Sequence, residues 1–322
     1  MGSPGTGMGA GTLTTPGRVA ITGATGLVGT ALGAALRAGG HSVVPISRNP
    51  AHGGVRWDPV HQQIDTAALR GVDAVVHLAG ESIAGARWTP HRKELLATSR
   101  IAPTRWLAEV LAGLDPKPGV LVSASAIGIY GSRGDELLDE HATPGSDFLA
   151  RLAIDWEAAA DPARQAGIRV VHPRFGIILS ARGGALARML PPFRFGLGGP
   201  IGDGQQWMSW ITLDDVVGAI THLIATSSVS GSVNVTTSHP VRNVEFVRAL
   251  GKALHRPAVI PLPAFALRLA FGELADATLL ASQRVVPAAL HADGFAPLHP
   301  TLADALASCV SRDRSVGEAA LG

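Results

Sequence analysis

The sequence predicts an α/β protein: a doubly wound parallel sheet followed by a small, mostly helical C-terminal unit. Three observations carry that reading. The apolar run Val19-Ala20-Ile21 ends in Thr22-Gly23-Ala24-Thr25-Gly26-Leu27-Val28-Gly29 and leads into the helical spacing of Leu32 and Leu36. Strand-like and helical runs then alternate as far as Arg174, as repeated βαβ units do. Beyond residue 180 the rhythm changes to a Gly/Pro-rich stretch and then, from Val244, to an aliphatic helical pattern.

The first strand spans 18–22 and the first helix 27–38, closed by Gly39-Gly40 where a left-handed cap is expected. Strands follow at 41–47 and 73–79, and a long helical pattern runs over 92–114. A further strand at 119–124, a helix over 148–167 ending on Gly167, and a strand at 169–174 continue the series. Parallel strands joined this way need right-handed crossovers. Residues 190–204 read as a loop over the carboxyl edge of the sheet, and Pro257, Pro261 and Pro263 mark breaks between C-terminal helices. The expected division is a disordered tail at 1–17, the sheet domain at 18–243 including a loop over 180–210, a helical domain at 244–312, and a second tail at 313–322.

A glycine turn between a buried strand and a helix is what a pyrophosphate needs. Glycine lets backbone approach the anion, and the helix start offers free amides with partial positive charge. Gly23, Thr25, Gly26, Leu27, Val28 and Gly29 are therefore expected to hold a dinucleotide in a Rossmann arrangement. At the end of the second strand, where an NAD-preferring fold places a carboxylate on the ribose, Ser47-Arg48-Asn49 stands instead. A guanidinium suits a 2′-phosphate, so NADP(H) is expected in preference to NAD(H), with Ser47 and Arg48 as contacts.

With 322 residues, 46% of them hydrophobic, the chain can bury a large core. A net charge of +2 without a Lys/Arg block points away from nucleic acid. The lone Cys309 forms no internal disulfide, no metal cluster is visible, and a cytoplasmic location fits. No apolar run reaches the roughly 18 residues of a membrane span, so no membrane partner is expected. The Gly/Thr/Pro-rich start does not read as a signal peptide.

Over residues 18 to about 310 the chain resembles the atypical extended short-chain dehydrogenase/reductases called epimerase family proteins, of the NAD-dependent epimerase/dehydratase superfamily, with their C-terminal domain of unknown function. The resemblance rests on residues 22–29, on Asp73-Ala74-Val75-Val76-His77-Leu78-Ala79-Gly80-Glu81, and on Ser123-Ala124-Ser125-Ala126-Ile127-Gly128-Ile129-Tyr130-Gly131. It extends through Gly204-Gln205-Gln206-Trp207-Met208-Ser209-Trp210-Ile211, Pro261-Leu262-Pro263-Ala264-Phe265, Gly272-Glu273-Leu274-Ala275 and Ser282-Gln283-Arg284-Val285-Val286-Pro287. It implies that Leu78, Ala79 and Gly80 lie beside the adenosine, that Arg100 and Arg174 reach the phosphates or the nicotinamide side, and that Glu94 is a further contact. It also implies that the C-terminal domain sits on the substrate side.

The chemistry departs from that pattern. A typical member pairs an orienting serine with a tyrosine and a lysine four residues later, the lysine lowering the tyrosine pKa. The single tyrosine here, Tyr130, has Gly134 four residues on, and the helix expected to carry the pair offers Leu149 and Ala153. Three functions stay open: reduction of an unidentified small carbonyl compound, with Ser123 or Ser125 polarising it and Tyr130 as acid; NADP(H) binding without turnover, as a sensor or scaffold; and nucleotide-sugar epimerisation or dehydration. Asp214 and Asp215 read as helix caps, and His77 and His172 as core residues. Trp207 and Trp210 line a pocket or pin the loop. Arg182 and Arg188 suit an anionic substrate, while Met189-Leu190-Pro191-Pro192-Phe193 and Phe195 suggest an apolar lid. The sequence leaves the oligomeric state open.

Overall fold

The computed structural model describes residues 17–50 and 54–319. At its centre is a nine-stranded sheet of β1 (Arg18–Thr22), β2 (Ser42–Ser47), β3 (Val55–Asp58), β4 (Gln63–Ile64), β5 (Ala74–His77), β6 (Val120–Ser123), β7 (Ser125–Ala126), β9 (Arg169–Phe175) and β13 (Gly231–Val235). The order is β13-β9-β6-β5-β1-β2-β3-β4, with β7 continuing β6 along β9. Every pair is parallel except β3 with β4. Six short strands, β8 (Leu137–Leu138), β10 (Ile177–Leu179), β11 (Trp207–Met208), β12 (Trp210–Thr212), β14 (Val241–Arg242) and β15 (Arg284–Val285), pair in twos outside it.

The helices are α1 (Leu27–Ala38), α2 (Pro90–Thr98), α3 (Ile101–Ala112), α4 (Phe148–Ala158), α5 (Asp161–Gln165), α6 (Gly184–Arg194), α7 (Leu213–Ala225), α8 (Asn243–Leu254), α9 (Ala264–Phe271), α10 (Ala288–Ala292) and α11 (Leu302–Ala319). Period-2 alternation sorts the strands into two buried faces. Val19, Ile21, Val76 and Val122 meet Leu32 and Leu36 of α1 and Val216 and Ile220 of α7. Ala20, Val75 and Leu121 meet Leu107 and Leu111 of α3 and Ala163 of α5. Both faces are covered by helices, which is why these strands read as unbroken apolar runs. Truncating Leu32 to alanine in such a layer costs about 2–5 kcal/mol.

Strand order reverses direction at β1: the chain steps to β2 on one side and to β5 on the other. The crevice at the carboxyl ends of β1 and β5 is the switch point where such sheets take ligands.

Several expected boundaries are corrected. The pattern over 92–114 divides into α2 and α3, because Pro103 has no N–H to give the Ser99 carbonyl and is tolerated only in a first turn. The pattern over 148–167 divides at Ala159-Ala160, with Pro162 opening α5. The expected loop at 190–204 begins as helix, α6 carrying Pro191 and Pro192 inside its last turn. The cap of α7 is Thr212, whose hydroxyl accepts from the Asp215 amide and donates to the Asp215 carboxylate, so Asp214 and Asp215 lie in the first turn instead. Helix α11 runs to Ala319, through most of the segment read as a second tail. The tail expected at 1–17 lies outside the described residues apart from Gly17.

The C-terminal residues return to the sheet. β15 pairs with β8, the Ser209 hydroxyl accepts from the Val285 amide, and Asn234 of β13 donates through Nδ2 to the Val286 carbonyl. Glu140 Oε1 accepts from both the Asn234 and the Ala289 amides.

Candidate functional site

The glycine turn after β1 is shaped by lack of room. Gly23 sits at φ +66°, and a β-carbon on it would stand 2.9 Å from the Leu78 carbonyl carbon. On Gly29 one would stand 2.2 Å from the Gly23 oxygen, so α1 can pack against the turn only through glycine. No side chain caps α1, whose N-cap is Gly26, and its first turn holds no acid. The amides at the start of α1 are thus available to an anion. Thr25 is exposed at the turn's tip.

Neighbouring strand ends complete this edge. Thr22 pairs with Ile46 in register, which sets Ser47 and Arg48 level with the glycine turn, Ser47 half-buried and Arg48 exposed. The Thr22 hydroxyl accepts from the amides of Leu78 (3.0 Å) and Ala79 (3.2 Å) and bonds His77 Nδ1 (2.7 Å). His77 Nε2 meets Thr104 Oγ1 at 2.9 Å, and that oxygen also accepts from Trp156 Nε1. Burial, reinforced by the Arg100 charge, lowers the His77 pKa to about 4, so it is a neutral core residue.

Beside the turn opens a cavity of about 680 Å³. Its walls come from the glycine turn, Ser82–Ala84 after β5, residues 124–128, the inner face of α4, residues 175–179, the start of α6, Trp207–Ser209 and residues 277–283. Leu149, Leu152, Ala153 and Trp156 of α4 all face it. The two positions expected for tyrosine and lysine therefore point into the chamber and carry hydrocarbon. Asp147 starts this helix by accepting from the Ala150 amide, which fixes the face presented.

Polar side chains in the wall are largely committed to the protein. Ser125 donates to Glu157 Oε1 at 2.6 Å, Gln283 donates to the Ile127 and Gly131 carbonyls, and Ser209 donates to the Gln283 carbonyl. Arg100, at the α2–α3 break, is the one ionisable lining residue among the described residues; it donates to the Glu81 and Leu96 carbonyls and stacks on Trp156. Burial lowers its pKa to about 10, leaving it charged at neutral pH.

Behind Ser125 lies a buried polar network. Arg174 holds Glu157 through two bonds of 2.8 and 2.9 Å, Glu157 also accepts from Ser125 and Ser232, and Arg174 Nη1 donates to the Tyr130 hydroxyl. That hydroxyl donates to Asn234 Oδ1 at 2.7 Å. Burial pushes the Glu157 carboxyl up, but bonds from Arg174 and Ser125 outweigh it and hold it below the ordinary range. Burial raises the Tyr130 pKa, only partly opposed by Arg174.

The structure redistributes the expected residues. It gathers Gly23, Gly26, Leu27, Val28, Gly29, Leu78, Arg100 and Ser125 around the cavity. Ala79 and Gly80 follow Leu78 at the strand end, with the Arg100 side chain packed against Gly80. Four assignments are corrected. Tyr130 is fully buried with both hydroxyl partners inside the protein, so it is not presented to a substrate. Arg174 turns to Glu157 rather than to the cavity. Ser123 is buried outside the lining, its hydroxyl without a hydrogen-bond partner. Glu94 sits exposed on α2, away from the lining. Trp207 lines the cavity while Trp210 is core. Arg188 donates to the Ala84 carbonyl, and Arg182 is exposed. Of the residues over 189–195 read as an apolar lid, Met189 lines the cavity, Phe193 is buried and Phe195 is exposed.

Sequence reasoning missed Glu157, Trp156 and the 277–283 wall. Helical spacing held a signal for the first: Glu157 stands four residues beyond Ala153, an acid beside an otherwise apolar face. Among the described residues no helix is long and apolar enough to cross a membrane, and no three His, Cys, Asp or Glu cluster as a metal site.

A glycine turn at the switch point, an uncapped helix start and an adjoining chamber closed by a C-terminal helical region define a Rossmann-fold protein of the extended short-chain dehydrogenase/reductase type. The family model "NAD dependent epimerase/dehydratase family" matches residues 19–236, and a domain of unknown function, DUF1731, matches residues 262–309. The chain belongs to that epimerase/dehydratase family. It is 47% identical over 296 residues to the epimerase family protein Mb2239 of Mycobacterium bovis, covering 91% of this chain and 98% of the relative. The crystal structure of human epimerase family protein SDR39U1 (isoform 2) with NADPH superposes with a TM-score of 0.84 at 35% identity, covering 91% of this chain and 99% of that one. A nucleoside-diphosphate sugar epimerase from Corynebacterium glutamicum matches with a TM-score of 0.74 at 36% identity, over 94% of this chain and 62% of that one.

Proposed function

We propose that this chain binds NADP(H) and reduces a small, uncharged, apolar carbonyl compound in a reducing cytoplasm. One observation supports it above the others: the glycine turn, with its open helix start, leads directly into a chamber walled by hydrocarbon. The amides of Leu27, Val28 and Gly29 would hold the pyrophosphate, and Arg48 the 2′-phosphate, as the solved human relative's NADPH suggests. When bound, NADPH supplies the hydride.

The protein's own part is to exclude water and to fix the reacting oxygen. Ser125 is the hydroxyl in the wall backed by a charged network, and Glu157 positions it by accepting its hydrogen bond. In that state Ser125 offers lone pairs to an alcohol; turned from Glu157, its hydroxyl donates a hydrogen bond to a carbonyl oxygen, and the alkoxide that hydride addition leaves takes its proton from solvent as the chamber opens. Glu157 is held ionised by Arg174 and does not supply that proton. A positioned general acid typically contributes about 10²–10⁴-fold, so turnover without one is slow.

A second reading, NADP(H) binding without turnover, is favoured by Leu149 and Ala153 facing the chamber. Epimerisation of a nucleotide sugar, the activity in a relative's name, is less well supported, since among the described residues no His, Asp or Glu stands in the wall to remove a hydroxyl proton. Tryptophan-to-nicotinamide energy transfer tests the core of the proposal: NADPH should bind with clear preference over NADH, and absence of binding by either overturns it. Consumption of NADPH with a panel of apolar aldehydes and ketones then separates the first two readings.

A further inference from the structure

The segments around residues 194–202 and 256–263 run side by side outside the main sheet. Ile260 N donates to the Gly198 carbonyl, Leu262 N to that of Pro200, and Gly202 N to that of Leu262. Helix α9 follows at once. This paired edge and helix expose Phe195 (81%), Leu197, Val259 (75%), Ile260, Phe265 (71%) and Leu269 (77%). Single exposed apolar residues are ordinary, but this many on one paired edge and one helix face form a patch that calls for a partner. Phe265 and Leu269, four apart, project together while Leu267 of the same helix is buried.

The charge within the patch is one-sided. Residues 194–202 and 256–269, which form the paired edge and most of α9, contain Arg194, Arg256 and Arg268 and no Asp or Glu, the nearest acids in sequence being Asp203 and Glu273. Arg268 is paired with Asp276 from beyond these segments, while Arg248 and Lys252 stand exposed on α8, the helix leading into the patch, beyond Glu245 of its first turn, which accepts from the Arg242 amide. A two-fold contact between copies would set these cations against their own images. Negatively charged lipid headgroups complement them, and the acyl boundary below complements the aromatic and aliphatic side chains.

We propose that this face docks on an anionic lipid bilayer, with Phe195, Phe265 and Leu269 entering the headgroup–acyl boundary and Arg248, Lys252 and Arg256 meeting lipid phosphates. The patch adjoins the cavity: Ile201 bridges to Leu262, and Leu279, itself exposed, is a lining residue. Docking therefore brings the chamber's rim to the membrane without any helix spanning it.

Sedimentation of the full chain with sucrose-loaded vesicles tests this. Mixed phosphatidylcholine–phosphatidylglycerol vesicles should bind it about tenfold or more better than pure phosphatidylcholine, and added salt should release it. The double variant F265D/L269D should lose about tenfold or more of that binding. R248Q/K252Q should lose the preference for the anionic vesicles and keep weak binding. Thermal melting and NADPH titration of each variant check the fold; if either variant is unfolded, the lipid preference and salt response of the unaltered chain decide alone. No binding, or equal binding to both vesicles, overturns the proposal. So does a dimer in sedimentation equilibrium that F265D/L269D turns into monomer, which would make the patch an interface between copies.

Discussion

At the glycine-turn end of the cavity the shape belongs to the backbone, whereas at the α4 end it belongs to side chains. Gly23 and Gly29 leave no space for a β-carbon, and the amides of α1 lie open because nothing caps them. One turn suffices to build that end. At the other end Leu149 and Ala153, standing where a tyrosine and a lysine were expected, line the cavity with hydrocarbon. Binding and chemistry are therefore separable here: replacing two side chains removes a proton relay and leaves the backbone cradle untouched.

The largest test of this contrast concerns Arg174, expected at the cofactor and found beneath the substrate end. Arg174→Met strands the Glu157 carboxylate in a buried site and should cost about 3–5 kcal/mol in urea unfolding while leaving NADPH affinity within about twofold. An unchanged midpoint with weakened NADPH binding would return Arg174 to the cofactor.

A pH titration of stability comes next. The His77 pKa is about 4 in the folded protein against about 6.5 unfolded, so its contribution is full above pH 6.5. As pH falls from 6.5 to 4 the unfolded state binds the extra proton and about 3 kcal/mol is lost. His77→Gln should flatten that slope.

Arg48→Ala should weaken NADPH by about tenfold to a hundredfold, the size of a charge-assisted phosphate bond, and leave NADH unmoved. Equal loss for both nucleotides would break the 2′-phosphate assignment. The smallest effect is expected at Tyr130. Tyr130→Phe removes a buried bond to Asn234 and should cost about 1–2 kcal/mol of stability, with any NADPH-dependent turnover unchanged. Loss of turnover in a folded variant would bring the tyrosine back into the chemistry.

Sheet and glycine turn were legible because their signals are local: apolar runs of strand length, glycines at a strand-to-helix junction, and helix-closing Gly39-Gly40 with Gly40 at φ +84°. The break between α2 and α3 was also written locally, in Pro103, yet it matters through its consequence, since it places Arg100 at the cavity. What escaped the sequence depends on long-range packing. Arg174 and Glu157 lie 17 residues apart, and Tyr130 and Asn234 are 104 apart. No spacing rule tells whether an arginine on a strand will face a nucleotide or a carboxylate one layer below.

The two matched segments, 19–236 and 262–309, suggest parts that could be exchanged or trimmed. The return of residues 283–289 to the sheet forbids it. Without that segment Asn234 Nδ2 loses the Val286 carbonyl, Ser209 loses both its acceptor and its donor, and Glu140 keeps one of its two amides. A chain ending near residue 240 would thus carry a torn seam through its own interior, and the protein should melt in one transition rather than as two modules.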